Sequence, residues 1–291
     1  MTLSEAFEAF ISDVIIANSR SFKTEEHYRV ALKSLISFLG SDLLIGELTI
    51  RQVRDWKLCL LKRHLSESTI RGYLVNLRVV LGHARQEGFE CLLAERIDLP
   101  QRKPFVPVFI TPEEVCLLIK VLGRKQRGYP PINRLRNQTI ISLLYGSGIR
   151  IGECCALNRD SIYDHGFTVI GKGKKVRLCF IDSRTEVLLR QYLNLRSDNN
   201  PALFLANQTK ARIKPSGVRN VMSSTWKLAG FDKPIHPHTL RHSFATDLLR
   251  NNANPRYVQA LLGHSSLETT QMYMSVVDND LKSVYERYHR T

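Results

Sequence analysis

The stretch HPHTLRHSFATDL, residues 236–248, gathers histidines and an arginine at the start of a predicted helix. On a helix of 3.6 residues per turn, one face collects basic side chains and one small residue, namely His238, Arg241, His242 and Ala245. The opposite face is apolar and consists of Leu240, Phe244 and Leu248. The cations lie where the free N–H groups of the first turn also point, so the segment predicts a phosphate-binding site. We expect the apolar face to be buried.

Three further segments carry polar residues beside predicted turns. Arg150 follows a glycine turn in YGSGIRIGE, and Lys172 lies in the glycine-rich centre of a predicted hairpin. His264 and Tyr273 follow a predicted helix end in LLGHSSLETTQMY. Each residue taken alone has an ordinary interpretation: a surface arginine, a solvated basic loop or a packed tyrosine. Their occurrence together in one basic chain favours a shared site.

The segments YGSGIRIGE, VIGKGKKVR, PHTLRHSFATDLL and LLGHSSLETTQMY resemble the motifs of the tyrosine recombinases, the phage integrase and Xer group. They occur in the order typical of that family, and with the N-terminal helices the resemblance extends over nearly the whole chain. It implies a Xer-like site-specific DNA recombinase that cuts and rejoins DNA through a 3′-phosphotyrosine and a Holliday junction. It also implies that no metal, ATP or other cofactor takes part.

The resemblance assigns the nucleophile to Tyr273 and the main phosphate contacts to Arg150 and Arg241. The nonbridging oxygens of a phosphodiester repel a nucleophile and gain charge in the transition state. Two guanidiniums that bind these oxygens in bidentate fashion reduce the repulsion and stabilise the added charge. A tyrosine with an ordinary pKa of about 10 needs a base or nearby cations to lose its proton. Tyr273 also lies off the apolar line of its predicted helix, which argues against a pure packing role.

Two histidines and a glutamate complete the implied site. His238 resembles the base or hydrogen-bond partner of the attacking oxygen, and His264 resembles the second histidine, which contacts the phosphate. Glu153 resembles the acidic residue that orients the site by hydrogen bonding. His238 and His242 also have the spacing of a zinc helix, but Thr239 occupies the position of the required glutamate and no third ligand is evident. We therefore predict no metal site.

Basic residues of the hairpin provide the implied general acid and further DNA contacts. Lys172 resembles the lysine that protonates the leaving 5′-oxygen, a step that a poor leaving group needs. Lys174 and Lys175 are close enough in sequence to take that role, or to touch the DNA backbone as part of a solvated basic loop. Arg177 and Arg71 are predicted as additional DNA-binding residues.

Amphipathic helices in the first hundred residues must form the first domain. Helical spacing predicts one helix with Thr24 as its N-cap and Gly40 at its end. A second begins after Thr49, and a third extends from about Ser68 to near Gly88. With the N-terminal segment they make a small four-helix bundle.

The second domain is predicted to be mixed. A helix over about 137–146 precedes the glycine turn, and FTVIGKGKKVRLCFI alternates on both sides of its centre as a hairpin does. Pro255 opens a later helix and Gly263 closes it. Ser265 and Glu268 form a capping box for the next helix, which would carry Tyr273.

A change in composition marks the domain boundary. The stretch IDLPQRKPFVPVF is rich in proline and has no helical period, which is typical of an extended linker. TPEE then supplies Thr111 as an N-cap, a proline in the first helical position and two carboxylates. We predict a core-binding, SAM-like DNA-binding domain over 1–98, a linker over 99–109 and a catalytic domain over 110–291. The fold class is mainly α with a small antiparallel sheet (α+β).

The charge of the chain favours a nucleic-acid partner. Lys and Arg number 42 against 27 Asp and Glu, a formal net charge of +15. No apolar run is long enough to span a bilayer, and the acidic MTLSEAFEAF does not resemble a secretion signal. We expect double-stranded DNA as the partner, no membrane, and a cytoplasmic, nucleoid-associated location. The six cysteines lack zinc-site spacing and are predicted to pack in a reduced setting.

The resemblance implies an assembly of four protomers on two DNA sites, either a homo-oligomer or a pairing with a homologous recombinase. The chain begins directly with the bundle, so we expect no extra arm-binding domain and a short site. The final DNDLKSVYERYHR is amphipathic and is either a tail that packs into a neighbouring protomer or the domain's own last helix. Chromosome-dimer resolution and integration of a phage, plasmid or transposon both fit.

Two alternative functions use the same residues differently. A topoisomerase-like nicking-closing enzyme would share the chemistry without partner exchange, but the Xer-like spacing and the N-terminal bundle argue against it. A catalytically inactive DNA-binding accessory protein would lack a motif residue, and none is missing.

Overall fold

The computed structural model describes residues 1–17, 22–101, 108–124, 129–163, 166–171, 176–232 and 234–263. Of residues 22 and 23 only the backbone is described. The chain divides into two compact units, Met1–Pro104 and Phe105–Thr291. Helices form most of both, and the second adds a three-stranded antiparallel sheet. The predicted fold class, mainly α with a small antiparallel sheet, is confirmed.

The regular elements of the first unit are helices in its described part. Its α-helices are α1 (Leu3–Phe10), α2 (Phe22–Leu39), α3 (Ile50–Lys62) and α4 (Glu67–Gln86). A π-helical segment, Ile11–Ile16, continues directly from α1. Apolar side chains at helical spacing converge on one core, in which Trp56 is only 1% exposed and stacks on Tyr73 with ring centroids 6.2 Å apart. The bundle thus forms on the apolar stripes that the sequence contains.

Side-chain caps set the starts of α1, α3 and α4. The predicted cap of α3 is confirmed, since Thr49 Oγ1 accepts a hydrogen bond from the N–H of Gln52 at 3.2 Å. The start of α4 is set by Ser66, whose Oγ accepts from a backbone N–H at 3.2 Å. The predicted cap Thr24 is wrong: α2 begins at Phe22, so Thr24 lies within its first turn.

The second unit contains most of the predicted site. Its α-helices in the described part are α5 (Pro112–Gly123), α6 (Pro131–Ser147), α7 (Ile151–Ala156), α8 (Ser183–Asn194), α9 (Pro215–Leu228), α10 (Pro237–Arg250) and α11 (Pro255–Leu262). The central element is α6, which packs against α5, α8 and α10. Its buried side chains include Ile140, Leu143 and Leu144, none more than 1% exposed.

Three helix boundaries in this unit test the sequence predictions. The cap of α5 is confirmed: Thr111 Oγ1 accepts a hydrogen bond from the N–H of Glu114 at 3.3 Å. The predicted limits of α11 are also confirmed, with Pro255 first and Gly263 just beyond its end at φ +63°. The predicted start of α6 near 137 is wrong, because Pro131 takes the first helical position and the polar residues after it are helical too. The predicted capping box of Ser265 and Glu268 lies outside the described residues.

The predicted hairpin is present within the sheet. Strands β1 (Ile162–Tyr163), β2 (Gly166–Ile170) and β3 (Val176–Phe180) pair in that order, all antiparallel, with Val169 opposite Arg177. One face packs on the core through Phe167, Val169 and Cys179. The hairpin turn, with Lys172, Lys174 and Lys175, lies outside the described residues.

All six cysteines are free thiols. Cys154, Cys155 and Cys179 are buried and the other three are partly exposed. Among the described residues, no group of three or more His, Cys, Asp or Glu side chains could hold a metal ion. No helix in that part of the chain is long and apolar enough to cross a membrane.

Candidate active site

A tight glycine turn positions Arg150. Gly148 ends α6 at φ +62°, a left-handed conformation that favours glycine. A Cβ at this position would lie 2.4 Å from the Phe244 ring of α10 and 3.1 Å from a methyl group of Leu262. The turn therefore brings α6, α10 and the end of α11 together at Arg150, the N-cap residue of α7.

Glu153 holds Arg150 by two hydrogen bonds. The backbone N–H of Arg150 donates to Glu153 Oε2 at 2.8 Å, and its Nη1 donates to Oε1 at 2.9 Å. Burial alone would raise the pKa of Glu153, but hydrogen bonds and charges from Arg177 and Arg150 outweigh it and lower that pKa. The carboxylate is thus ionised at neutral pH and fixes the direction of the Arg150 side chain, which is 35% exposed.

Arg241 lies deeper than the sequence predicted. Its residue is 4% exposed, and it donates from Nη1 to the Gly148 carbonyl at 2.5 Å and from Nη2 to the Leu262 carbonyl at 2.6 Å. Ala245, on the same face, is fully buried. The predicted burial of the apolar face is seen at Leu240, which is 0% exposed, but the face with the cations is buried in part as well. Because α10 packs on α6 and α11 together, both faces are covered in part.

The two histidines of α10 lie side by side with depressed pKa values. Their ring centroids are 6.4 Å apart. The pKa of His238, an exposed residue, is lowered by partial loss of water around its ring and then by the charges of Arg241, Arg150 and Arg219. Burial, followed by His238 and Arg241, lowers the pKa of His242 to about 4. Both rings are therefore neutral at pH 7, and a neutral His238 can accept a proton.

Arg219 is a member of this cluster that the sequence analysis missed. It lies on α9, is exposed, and its charge contributes to the low pKa of His238. Its segment, PSGVRNVMSSTWKL, has no turn or residue pattern that distinguishes Arg219 from any other basic residue on a helix. Only the packing of α9 beside α7 indicates its position.

Three guanidiniums converge on the end of α11. Arg177 Nε donates to the Leu261 carbonyl at 3.1 Å, and Arg241 Nη2 donates to the Leu262 carbonyl. Arg150 Nη2 donates to the Gly263 carbonyl at 3.3 Å. The last carbonyls of a helix lack helical partners and carry the negative end of its dipole, so cations stabilise them. The structure thus places Arg150 and Arg241 on the carbonyls of the two residues that precede His264, whereas His264 and Tyr273 lie outside the described residues.

Two of the residues predicted to contact DNA, Arg177 and Arg71, lie among the described residues. Arg177 is turned inward, with both Glu153 oxygens within 3.0 Å of its guanidinium nitrogens. A phosphate could bind Arg177 only by displacing that carboxylate. Arg71, on α4, is half-buried and donates to the Pro100 carbonyl, so part of its guanidinium is already bound.

Two protein-family models match the sequence. Residues 109–280 match the model described as the phage integrase family, and residues 2–90 match that of the phage integrase SAM-like domain. The two matches together span most of both compact units.

Known proteins resemble the chain over most of its length. A tyrosine recombinase of Thermosipho africanus is 31% identical, covering 96% of this chain and 97% of the relative. Tyrosine recombinase XerC of Oceanobacillus iheyensis is also 31% identical, over 97% of this chain and 95% of the relative. Among solved structures, the Tn1549 transposon integrase in complex with transposon right-end DNA covers all of both chains, with a TM-score of 0.77 and 17% identity. At 17% identity, the similarity to this integrase shows a shared fold.

Proposed function

The chain belongs to the phage integrase family of tyrosine recombinases, and from this membership we propose how its site cuts and rejoins DNA. It is a site-specific recombinase whose substrate is double-stranded DNA. The observation that carries the mechanism is the convergence of Arg150 and Arg241. They come from separate motifs, yet they bind neighbouring carbonyls at the end of α11.

The two guanidiniums are suited to hold one phosphate. We propose that nonbridging oxygens of the scissile phosphodiester accept hydrogen bonds from Arg150 and Arg241 beside the end of α11. Charge builds on those oxygens in the transition state, so guanidiniums already fixed by Glu153 and by backbone carbonyls stabilise it without reorganising.

Tyr273 then attacks the phosphorus atom. Its Oη forms a bond to phosphorus, the bond to the 5′-oxygen breaks, and the phenolic proton passes to the neutral ring of His238. The departing 5′-oxygen takes a proton from Lys172 or a neighbouring lysine. The phosphotyrosine conserves the energy of the broken bond, so the 5′-hydroxyl of a second duplex reverses the step and joins the new strand.

The same family membership supports a proposal for assembly on DNA. We propose that the SAM-like first domain and the catalytic domain both contact the duplex, and that four protomers on two sites exchange one strand pair and then the other. The chain's net charge of +15 provides cations for such phosphate contacts. We also propose that the protein resides with the DNA it acts on, at the nucleoid.

Covalent capture of DNA and a two-site plasmid assay together test this function. Sheared genomic DNA from the organism that encodes the chain is incubated with the protein and denatured, and the protein-bound strands are sequenced. A plasmid with two copies of the recovered site should recombine with the wild type and not with Tyr273→Phe. Relaxation of a one-site supercoiled plasmid without two-site exchange would indicate a nicking-closing enzyme. Binding with no covalent product would indicate an inactive accessory protein.

A further inference from the structure

The Arg177 side chain joins three segments that lie far apart in sequence. Arg177 belongs to β3, lies 24 residues after Glu153 of α7 and 84 residues before Leu261 of α11, and hydrogen-bonds to both. Strand β3 also forms one arm of the hairpin whose turn contains Lys172. One guanidinium thus connects the hairpin to the acid that holds Arg150 and to the helix end that precedes His264.

The environment of Arg177 is that of a buried ion pair. Nη1 and Nη2 donate to the two Glu153 oxygens at 3.0 Å and 2.6 Å, and each side chain is 10% exposed. Gly263 packs directly on the arginine stem, because a Cβ there would lie 3.0 Å from Arg177 Cδ. With one side closed by Gly263 and both Nη atoms paired with the Glu153 carboxylate, Arg177 could bind a DNA phosphate only by giving up that ion pair.

Glu153 transmits the position of Arg177 to Arg150. The same oxygen, Oε1, accepts from Arg150 Nη1 at 2.9 Å and from Arg177 Nη1 at 3.0 Å. A carboxylate held by both of its oxygens in a bidentate pair has a fixed plane, so the donors it accepts from are fixed as well. Without Arg177, Glu153 would retain only its bonds to Arg150 and could rotate with it.

Arg177 also secures the helix end that Arg150 and Arg241 bind. The carbonyls of Leu261, Leu262 and Gly263 each accept from a different arginine. The Arg177 guanidinium also donates to both oxygens of Glu153. It therefore fixes the end of α11 relative to Arg150 independently of the phosphate.

We infer that Arg177 is a positioning residue for phosphotyrosine formation, which acts by fixing Glu153 and the end of α11 relative to one another. This inference rests on the proposed function. In this role Arg177 makes no contact with DNA. Loss of the Arg177 side chain should therefore slow cleavage within the bound complex and leave DNA affinity nearly unchanged.

Substitution Arg177→Lys tests the inference because it retains the positive charge and loses the bidentate geometry. The substrate is a duplex that carries the captured site with a nick beside the scissile phosphate, so that the released fragment diffuses away and cleavage is irreversible. We expect single-turnover covalent complex formation to slow by about 100-fold, the cost of a displacement near 1 Å. Duplex affinity, measured by fluorescence anisotropy, should remain close to that of the wild type.

Arg196→Lys is the matched control. Arg196 lies in the same unit, its side chain is 1% exposed, and it binds Asp198 through two hydrogen bonds of 2.6 Å. It touches none of Arg150, Glu153 or α11 through the hydrogen bonds that the structure describes. The control should lose thermal stability to an extent comparable with Arg177→Lys and should cleave at the wild-type rate once bound.

A double-mutant cycle tests whether Arg177 acts through the carboxylate. Glu153→Gln alone should also slow cleavage. The double variant should be no slower than the slower single variant, since both substitutions break the same connection between Arg177 and Glu153. Independent effects that multiply would contradict the proposed route.

The outcomes separate this inference from the proposed function. Weaker DNA binding of Arg177→Lys with normal cleavage of the bound complex would make Arg177 a DNA contact and overturn the inference. Equal slowing by Arg196→Lys, or no slowing by Arg177→Lys, would overturn it as well. If the wild type itself forms no covalent complex that depends on Tyr273, the proposed function fails before any of these comparisons begins.

Discussion

At the scale of single residues, the two arginines proposed to hold the phosphate, Arg150 and Arg241, lie in different environments. Arg150 is 35% exposed and held by a carboxylate, whereas Arg241 is buried and binds two backbone carbonyls. Replacing Arg241 leaves buried carbonyls without donors and should cost stability. Arg150 is therefore the residue at which catalysis can be tested with least disturbance of folding.

Arg150→Lys should slow covalent complex formation by about 100-fold or more, because an ammonium cannot reproduce two parallel hydrogen bonds to a phosphate. Single-turnover cleavage of the nicked duplex measures the rate. Arg190→Lys is the control, since Arg190 also pairs with a glutamate but is 73% exposed on α8. A wild-type cleavage rate in Arg150→Lys would show that Arg150 does not bind the scissile phosphate.

His242 predicts a pH dependence of stability. Its pKa is about 4 in the folded protein, below the ordinary value of 6.5, because burial and nearby cations disfavour its charged form. The unfolded chain therefore binds more protons between these values, so stability is fully present above pH 6.5 and is lost as the pH falls toward 4. In urea unfolding at a series of pH values, His242→Gln should lose less stability than the wild type over this range. Equal losses of stability in both proteins would contradict the lowered pKa of His242.

At the scale of elements, the glycine turn after α6 sets the position of Arg150. Gly148 combines a positive φ with close approach to Phe244 and Leu262, and its carbonyl accepts from Arg241. The sequence predicted this turn from GSG, but it could not predict that a ring from a helix nearly one hundred residues later would lie against it. Contacts of that kind depend on how helices pack, which the spacing of apolar residues within one helix does not determine.

Gly148→Ala should destabilise the protein by about 2 kcal/mol or more, because a left-handed residue gains a Cβ and that Cβ overlaps the Phe244 ring. Gly152→Ala is the control: no atom outside its chain neighbours and the backbone of its own helix lies within 4 Å of the added Cβ, and its position in α7 favours alanine. Thermal unfolding of both variants measures the difference. Equal melting temperatures would show that the turn tolerates a side chain.

The predictions from sequence succeeded where local chemistry decides structure. The caps at Thr49 and Thr111, the hairpin and the limits of α11 all depend on residues within a few positions of one another. The failures are non-local. The burial of Arg241 and the inward direction of Arg177 follow from helices and strands packing around them, and a basic residue type alone favours exposure.

At the scale of the whole molecule, the family predicted from the sequence is confirmed. The motifs lie far apart along the chain, and the second unit brings Arg150, Glu153, His238 and Arg241 into one cluster. That convergence could be anticipated only through the resemblance, because no local pattern states which distant segments meet. The network around Arg177 was not anticipated at all, since its partners are contributed by three separate segments.

The most direct measurement of the central claim is the mapping of the covalent bond. Protein trapped on the nicked duplex is digested with nuclease and protease, and mass spectrometry locates the residual nucleotide. The account predicts a nucleotide attached through a 3′-phosphate to the peptide that contains Tyr273, and its absence in Tyr273→Phe. A nucleotide on a different residue, or an adduct that persists in Tyr273→Phe, would contradict the account.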